Sequence, residues 1–272
     1  MGKTFLMCKP EHFQCSYVIN PWMNNNIGAV DVQLARKQWD QLYNIVSSHA
    51  NVELIEPVPH LPDMVFTANA GLPILNNNYV WLSQFAKQQR QHEERHFHAW
   101  FMFYGKDVIT LSYFDMKDPF EGAGDALVDS SGHYWFGYGQ RSGSAAVDKI
   151  IEVIGQERCT KLELLTEDFY HLDTCFCPLT NGHVLWYPGA FSCASRRTIE
   201  QAFGDKLITV LQHDAVMFAC NAVSIDNIVI IPICSDGLIQ EIQNKGYDAI
   251  VVEMSEFIKA GGAAKCLTLQ IE

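Results

Sequence analysis

Five stretches of the chain repeat apolar residues at the spacing of an amphipathic helix. They span residues 31–49, 89–104, 144–156, 194–204 and 235–245. In the first and clearest stretch, the residues that share one face are Val32, Ala35, Trp39, Leu42, Tyr43 and Val46. The pattern predicts five helices, and each apolar face needs a second layer of structure to cover it.

Short runs rich in β-branched and aromatic residues lie around these helices and predict strands. The runs are Thr4–Cys8, Tyr79–Ser83, Val108–Leu111, Tyr134–Gly137, His183–Tyr187, Asn227–Ile231 and Ala249–Val252. The recurrence of these signals suggests degenerate copies of one strand–helix unit. Such copies suit a closed radial array packed around an axis, and an ordinary doubly wound α/β sheet is the alternative.

Length and composition predict a single domain over residues 1–272. The chain has 272 residues, 48% of them hydrophobic, and no Pro/Gly/Ser-rich linker or low-complexity tract divides it. No run approaches the roughly 18 apolar residues that span a bilayer, and the first residues lack the pattern of a secretory signal. We therefore expect no membrane partner and a cytoplasmic location.

Cysteine content and charge narrow the function classes further. Nine cysteines without regular spacing predict reduced thiols rather than a disulfide framework. The formal charge of −12, from 31 acidic and 19 basic residues, would repel a phosphate backbone. Nucleic acid is therefore not an expected partner, whereas a small cationic substrate is compatible with this charge. No feature of the sequence predicts an oligomeric state.

The first chemical signal lies near the end of the chain, where the pair Gly261 and Gly262 precedes Cys266. A cysteine thiolate can act as a nucleophile when another segment supplies a base. An arbitrary cysteine is more often a core thiol, here on a final strand, but the glycine-rich approach favours the nucleophile. On such a strand the neighbouring Lys265 would point to the opposite face.

Two further segments carry the groups that such a nucleophile needs. Residues i and i+2 of a strand share a face, so His171 and Asp173 would project together. One can move protons while the other binds a guanidinium or orients the imidazole. Glu121 precedes a Gly-Ala-Gly turn, and Asp125 follows it as a support of that turn. Taken singly, each of these is more commonly a solvated polar residue.

Residues His92 to His96 match the pattern H-E-x-x-H of zinc peptidases, with Glu121 as a possible third ligand. Glu94 and Arg95 stand where an active-site helix would carry apolar residues, so a solvated helix face is the favoured interpretation. Cys175 and Cys177 would share a face but have no second pair nearby, so we predict no metal site. Neither common phosphate-binding glycine loop is present, and we expect no cofactor.

Five strings of residues together form a more specific pattern. They are PDMVFTANAG (62–71), FEGAGD (120–125), FGYGQR (136–141), HLDT (171–174) and GGAAKC (261–266). In this order they resemble the guanidino-group-modifying enzymes, or pentein superfamily, and the resemblance runs from Asn20 to the C-terminus. It implies a five-bladed, pseudo-symmetric α/β propeller and a hydrolase that acts on a small guanidino substrate such as arginine.

The resemblance also implies the chemistry. Cys266 would attack the guanidinium carbon as the nucleophile, and His171 would act as general acid and base. Glu121 would be the acidic partner, and Asp173 would hold the guanidinium nitrogens. A covalent thiouronium-type intermediate would form and be released by water, without metal or cofactor.

Other matching positions imply contacts to the rest of the substrate. Asp63 would contact its amino-acid end, while Arg90 and Arg141 would bind its carboxylate or close over the site. Asn20 and Phe66 complete the implied substrate-binding set, together with the asparagine described next.

Asn69 departs from the deiminases and dimethylargininases, which have an aspartate there. Arginine dihydrolases have asparagine in a similar Thr-Ala-Asn-Ala string, and YVINPWM (17–23) resembles the opening of the arginine dihydrolase domain of bifunctional ornithine-forming proteins. We therefore expect an arginine dihydrolase that forms ornithine, carbon dioxide and ammonia. The alternatives are an arginine deiminase or dimethylarginine dimethylaminohydrolase that forms citrulline, a non-catalytic pentein-fold binding protein, and a zinc peptidase. An extra residue in Glu-Gly-Ala-Gly-Asp leaves the role of Asp125 open.

Overall fold

The computed structural model describes residues 2–74 and 77–272, and in this part of the chain the strands form five three-stranded sheets. The strands are β1 Thr4–Cys8, β2 Asn51–Ile55, β3 Gly71–Pro73, β4 Tyr79–Leu82, β5 Asp107–Ile109, β6 Ala126–Val128, β7 Tyr134–Tyr138, β8 Cys159–Glu163, β9 Phe176–Pro178, β10 Val184–Trp186, β11 Leu207–Thr209, β12 Val223–Ile225, β13 Ile228–Pro232, β14 Asp248–Val252 and β15 Leu269–Gln270. The helices are α1 Val32–His49, α2 Gln88–Gln91, α3 Glu94–Phe103, α4 Ser144–Ile154, α5 Cys193–Phe203, α6 Gln212–Ala215, α7 Asp236–Asn244 and α8 Ser255–Ile258.

All five sheets have the same topology. An inner strand pairs antiparallel with a middle strand, which pairs parallel with an outer strand; the sets are β15-β1-β2, β3-β4-β5, β6-β7-β8, β9-β10-β11 and β12-β13-β14. A parallel pair needs a crossover, and in each sheet helical structure supplies it between the middle and outer strands. The repeating unit is therefore strand–strand–helix–strand. It contains an inner strand and an outer strand that the predicted strand–helix unit lacks.

The five inner strands surround a common axis. Between them lies a cavity of about 330 Å³, lined by residues of every sheet, including Leu72, Leu127, Cys177, Val223 and Gln270. The last strand, β15, pairs with β1, so that Leu269 lies opposite Leu6 and the C-terminal segment completes the first blade. This closed ring confirms the five-bladed α/β propeller, and the doubly wound sheet is wrong.

The predicted helices are present, with one interruption. At the start of α1, Asp31 Oδ1 accepts hydrogen bonds from the backbone N–H groups of Gln33 and Leu34, both at 3.0 Å. The members of the predicted face that are buried are Ala35, Trp39, Leu42 and Val46. The second stretch is divided into α2 and α3 at residues 92–93.

The predicted strands match the middle strands and two outer strands within one or two residues. The predicted strand Val108–Leu111 differs at its end, because β5 ends at Ile109 and Leu111 begins a 3-10 turn. No helix in the described part of the chain is long and apolar enough to cross a bilayer.

Candidate active site

Each inner strand is preceded by a turn, and these turns bring the polar residues of the candidate site together. The turns are Thr67–Asn69 before β3, Gly122–Gly124 before β6, Leu172–Thr174 before β9, residues 216–222 before β12 and residues 264–267 before β15. They touch one another: the backbone N–H of Ala68 donates to the carbonyl of Cys266 at 3.1 Å, for example. Residues that are distant in sequence therefore become neighbours at one end of the axis.

Glycine is required where one of these turns approaches its neighbour. Gly122 has φ +64°, and a Cβ atom at this position would lie 2.8 Å from the carbonyl oxygen of Gly71 in β3. A side chain would therefore be strained by the backbone conformation and would also collide with the next blade. The Gly-Ala-Gly string thus allows Glu121, which comes just before it, to reach the axis.

Cys266 lies in the turn 264–267 and not on the predicted final strand, which begins at Leu269. Its Sγ is 3.5 and 3.8 Å from the two carboxylate oxygens of Asp173. Burial and the negative charge of Asp173 raise the pKa of the Cys266 thiol well above its ordinary value, against smaller opposing effects of hydrogen bonds and Lys265. Cys266 is therefore a neutral thiol in the absence of a bound cation.

Glu121, His171 and Arg141 form a buried, hydrogen-bonded triad. His171 Nε2 is 2.8 Å from Glu121 Oε2, and Arg141 Nη1 donates to the same oxygen at 3.0 Å. The backbone N–H of Ala86 donates to the other oxygen at 3.1 Å. Burial alone would raise the pKa of Glu121, but Arg141 and the hydrogen bond to His171 outweigh it and hold that pKa well below its usual range. Glu121 is accordingly an ionised carboxylate that orients the imidazole.

His171 and Asp173 do not share the face of a strand as the sequence suggested, because Leu172–Thr174 is a 3-10 turn. The hydroxyl of Thr174 donates to the carbonyl of His171 at 2.6 Å and helps to close this turn. One end of the turn directs the imidazole toward Glu121, while Asp173 reaches Cys266. Burial raises the pKa of Asp173, with Lys265 and His171 acting in the opposite direction.

Asp125 supports the turn Leu172–Thr174 through a hydrogen bond to its backbone. Its Oδ1 accepts from the backbone N–H of Leu172 at 3.0 Å, and its Oδ2 accepts from the hydroxyl of Ser142 at 2.7 Å. Burial raises the pKa of Asp125 to about 6, although the nearby His171 lowers it. The side chain of Asp125 therefore supports the turn Leu172–Thr174, whereas the sequence suggested support of the Gly-Ala-Gly turn.

Arg90 is buried in a network with three partners. Its guanidinium binds Glu93 through two hydrogen bonds, at 3.0 and 2.8 Å, and donates to Asn69 Oδ1 at 2.9 Å and to the carbonyl of Asp63 at 3.1 Å. Glu93 is fully buried, so the predicted solvated face of the H-E-x-x-H segment is wrong at this residue. Burial raises the pKa of Glu93 to about 7, with Arg90 opposing the shift.

Asn69 links this network to the acid of the triad. Its Oδ1 accepts from Arg90, and its Nδ2 donates to the backbone carbonyl of Glu121 at 3.0 Å. An aspartate in the same position would face that carbonyl with an oxygen in place of the donor N–H. The asparagine is therefore matched to its surroundings on both sides of its amide.

Asp63 has a buried oxygen that is free to accept a ligand. Its Oδ2 accepts from the hydroxyl of Tyr17 at 2.9 Å, whereas Oδ1 has no hydrogen-bond partner among the described residues. Burial raises the pKa of Asp63, and Arg90 and Tyr17 lower it. A buried acceptor without a partner is costly unless a ligand supplies a donor.

Two of the predicted substrate-binding residues, Asn20 and Arg141, line an open cavity on the surface. This cavity has a volume of about 270 Å³, and Tyr170 lines it as well. Asn20 Nδ2 donates to the hydroxyl of Tyr170 at 3.3 Å and to the carbonyl of Ala260 at 3.0 Å. The Arg141 guanidinium lies 4.6 Å from the centre of the Tyr170 ring, a cation–π contact.

Phe66 packs against the glycine pair that precedes Cys266. A Cβ atom on Gly262 would lie 2.5 Å from the Phe66 ring, so only a glycine allows the ring to lie this close to the chain. The ring also contacts Phe13 edge to face, with centroids 5.8 Å apart. Phe66 therefore shapes the apolar wall of the site.

No three His, Cys, Asp or Glu side chains in the described residues are grouped so that they could hold a metal ion. Glu93, the glutamate of the H-E-x-x-H string, is bound to Arg90, and Glu121 is bound to His171 and Arg141. The zinc-peptidase interpretation thus lacks its ligand set. Tyr170 and the asparagine before β12, Asn221, are site residues that no motif indicated.

Asn221 could have been predicted only from the repeated position of residues relative to the inner strands. Asn69 and Asn221 both stand two residues before an inner strand, β3 and β12 respectively. Glu121 and His171 share a second position, five residues before β6 and β9. Aligning the five turns on their inner strands would have indicated Asn221, but those strands are too short to be found from the sequence.

A five-bladed α/β propeller with buried cysteine, histidine and carboxylate side chains at one end of its axis defines the guanidino-group-modifying, or pentein, superfamily. The family follows from sequence comparison, because residues 10–272 match the family model described as N,N dimethylarginine dimethylhydrolase, eukaryotic. The chain belongs to this dimethylarginine dimethylaminohydrolase family.

Individual relatives differ in their named activities. The bifunctional arginine dihydrolase/ornithine cyclodeaminase AgrE of Nostoc sp. is 48% identical over 270 residues, which cover 98% of this chain and 37% of that protein. The dimethylarginine dimethylaminohydrolase of Mycobacterium tuberculosis is 34% identical over 270 residues, with 99% and 86% covered. The chain thus spans about 37% of the length of the bifunctional relative.

Solved structures agree with this assignment. The N-terminal domain of ArgZ, an arginine dihydrolase from cyanobacteria, was crystallised with its product and matches with a TM-score of 0.96 at 44% identity, covering 100% of this chain and 98% of that one. A structure of the same domain with an asparagine-to-serine substitution contains a covalently bound reaction intermediate; it has a TM-score of 0.95 and 44% identity, and 99% and 98% of the chains are covered.

Proposed function

We propose that this chain is an arginine dihydrolase, which converts arginine and two molecules of water into ornithine, carbon dioxide and two molecules of ammonia. The observation that carries the proposal is the position of Cys266 Sγ, 3.5 and 3.8 Å from the two oxygens of a buried carboxylate, Asp173. A guanidinium binds a carboxylate through two parallel hydrogen bonds. A guanidinium bound to Asp173 therefore presents its central carbon to the thiol.

Substrate binding activates the nucleophile. Burial and the charge of Asp173 keep the free thiol protonated. A guanidinium cation bound to Asp173 beside the thiol neutralises that carboxylate and favours the thiolate, so the pKa of Cys266 falls when substrate binds. The negative charge of the protein as a whole also favours the approach of a cationic substrate.

In the first round the Cys266 thiol gives its proton to His171, and Sγ bonds to the guanidinium carbon. His171, held by Glu121, gives a proton to the departing nitrogen as the carbon–nitrogen bond breaks and ammonia leaves. Water then loses a proton to His171 and attacks the same carbon, and the carbon–sulfur bond breaks. The product of this round is a ureido group, and the thiol is regenerated.

The second round repeats these steps on the ureido carbon. Cys266 attacks, the second ammonia leaves, and water releases a carbamate that loses carbon dioxide to give ornithine. Retention of the neutral ureido group is the role we assign to Asn69. Its neutral amide is fixed between Arg90 and the carbonyl of Glu121, whereas a further carboxylate would favour a cation over the uncharged intermediate.

The amino-acid end of the substrate has its own recognition groups. The unpaired Oδ1 of Asp63 accepts from the α-ammonium group. Arg141, at the wall of the open surface cavity, supplies a cation for the carboxylate. Arg90 acts through Asn69 and the backbone of Asp63, because its own guanidinium is occupied by Glu93.

A second candidate is hydrolysis that stops at citrulline, either from arginine or from dimethylarginine. The match of residues 10–272 to a dimethylarginine dimethylaminohydrolase family model favours it. Asn69 and the 48% identity to a bifunctional arginine dihydrolase favour the two-round reaction. The nine cysteines, all unpaired, are compatible with the cytoplasmic location that we propose.

The experiment is a product balance. The pure protein is incubated in turn with arginine, asymmetric dimethylarginine, agmatine and N-succinylarginine, and ammonia, citrulline and ornithine are measured together. Two ammonia per ornithine from arginine, without accumulation of citrulline, is expected. Citrulline with one ammonia would overturn the second round, and turnover of only another compound would overturn the substrate.

A further inference from the structure

Asn221, in the loop before β12, lies behind the nucleophile and is fully buried. Its Nδ2 donates to Cys266 Sγ at 3.2 Å and to the backbone carbonyl of Asp173 at 3.0 Å. Its Oδ1 accepts from the backbone N–H groups of Ala263 and Cys266, both at 3.1 Å. A primary amide has two donor hydrogens and two acceptor lone pairs. All four are used, three of them on the two turns that carry Cys266 and Asp173 and the fourth on Ala263, just before the turn of Cys266.

The backbone around Asn221 is fixed as well. Its carbonyl accepts from the N–H of Lys265 at 3.1 Å, and its own N–H donates to the carbonyl of Phe218 at 2.8 Å. Phe218 has φ +63°, an unusual conformation for a large side chain, and its ring packs against Trp22 with centroids 4.7 Å apart. The amide is thus attached at both ends to a loop that packing holds in place.

We propose that Asn221 is a positioning residue that holds the Cys266 thiol in front of Asp173 and donates a hydrogen bond to the thiolate during the reaction. Three of its four side-chain hydrogen bonds go to backbone atoms, so they fix the direction of the fourth. A hydrogen bond to an anion is stronger than one to a neutral group, so the N–H facing sulfur favours the charged thiolate. Its effect on turnover rests on the proposed function.

The pseudo-symmetry of the ring supports this role. Asn69 occupies the equivalent position before β3, and its amide joins its own turn to the carbonyl of Glu121, just before the turn of the next blade, and to the side chain of Arg90 on α2. The position therefore serves to join turns of adjacent blades. Of these two asparagines, Asn221 is the one that directs a donor at a sulfur atom.

Asn221→Asp removes the hydrogen bond to sulfur, together with the one to the carbonyl of Asp173. An aspartate keeps an oxygen that accepts from Ala263 and Cys266, but it replaces the donor N–H groups with an oxygen facing Sγ. The matched control is Asn244→Asp, because Asn244 is exposed at the end of α7 in the same blade. Both variants carry the same change of charge, and thermal unfolding checks that each is folded.

The primary measurement does not need arginine. Iodoacetamide alkylation of Cys266 is followed against pH by peptide mass spectrometry, which separates this thiol from the other cysteines. For Asn221→Asp the midpoint should rise by at least about one pH unit, while kcat for arginine falls roughly 10- to 100-fold with KM within about threefold. Asn244→Asp should match the parent.

A folded Asn221→Asp protein with the alkylation profile and kcat of the parent would overturn the proposal, as would a fall in stability alone. If this variant does not fold, Asn221→Ser tests the same point without added charge, and parental values for it would also overturn the proposal. A shifted alkylation midpoint in a protein that leaves arginine unchanged would support the role of Asn221 and reject the proposed function instead. Arginine turnover at the parental rate by the Asn221 variants would support the proposed function and reject the role of Asn221.

Discussion

Oε2 of Glu121 lies 2.8 Å from Nε2 of His171, and the same oxygen accepts from Arg141 at 3.0 Å. One buried carboxylate oxygen therefore binds both the imidazole and a guanidinium. In the proposed reaction its negative charge would stabilise the imidazolium that forms when His171 takes a proton from water. Arg141 in turn keeps Glu121 ionised.

Glu121→Gln should slow the reaction without abolishing binding. The amide keeps the shape of the side chain but cannot stabilise an imidazolium, and it leaves Arg141 without its buried anion. We expect kcat to fall by roughly 10²- to 10⁴-fold, the range of a general acid–base contribution. Steady-state kinetics with arginine measures this. A change confined to KM would show that Glu121 acts only in binding.

Asn69→Asp should change the product. The new carboxylate loses the hydrogen bond to the carbonyl of Glu121 and adds a charge that favours a cation over a neutral ureido group. We expect citrulline to accumulate with about one ammonia each, and the ornithine fraction to fall at least about tenfold, which corresponds to 1.4 kcal/mol. Chromatography of the amino acids measures the ratio. An unchanged ornithine yield would contradict our account of this asparagine.

Asp125 should make stability depend on pH in an unusual direction for a carboxyl group. Its folded-state pKa of about 6 lies above the ordinary 3.8, so the folded protein binds the extra proton. The resulting stabilisation is complete below about pH 4 and is lost as pH rises through about 6, at no more than 1.4 kcal/mol per pH unit.

Urea unfolding of the parent and of Asp125→Asn across this range tests that direction. The difference in unfolding free energy between the two should shift in favour of the variant as pH rises from about 4 to about 6. Asp40→Asn, an exposed change on α1, serves as control. A difference that stays constant with pH would show that Asp125 does not titrate in this range.

Gly261 should tolerate a side chain much less well than a glycine of the same backbone conformation elsewhere. Gly261 has φ +86° and Gly246 has φ +89°. A Cβ atom on Gly261 would lie 2.6 Å from the Tyr170 hydroxyl, whereas on Gly246 it would meet no described atom within 4 Å.

Because the two glycines have similar φ angles, comparing Gly261→Ala with Gly246→Ala separates the effect of packing on stability from that of backbone strain. Both should lose stability through strain, and the first should lose about 1–3 kcal/mol more through overpacking. Arginine turnover should fall only for Gly261→Ala, because it contacts Tyr170 and Asn20, which line the same open cavity as Arg141. Equal losses of stability and activity in the two variants would argue against this close packing.

The helices and middle strands were accessible to sequence analysis because they are long enough to show a period. The inner strands have only two or three residues each, such as Gly71–Pro73, and no period can appear over that length. For the same reason the closure of the ring by β15 could not be predicted. Cys266 was assigned to a final strand, but that strand begins three residues later. The single-domain interpretation stays a prediction.

The site was predictable only where a string of residues carried it. Cys266, His171 and Glu121 were indicated by their strings, and the fold places Asp173 beside Cys266 and Glu121 beside His171. Glu93 was assigned to solvent because charged residues surround it, whereas a buried guanidinium three residues earlier is its partner. Hydrogen-bond networks of this kind depend on tertiary contacts, which periodicity does not record.

The central claim is that Cys266 forms a covalent bond to the guanidinium carbon. Turnover of arginine labelled with carbon-13 in the guanidino group, quenched in acid within one cycle, followed by peptide mass spectrometry, tests it most directly. The account predicts the label on the peptide that contains Cys266, and its absence from Cys266→Ser and from the peptide of the exposed Cys193. Turnover of arginine with no label on Cys266, or undiminished turnover by Cys266→Ser, would contradict the account.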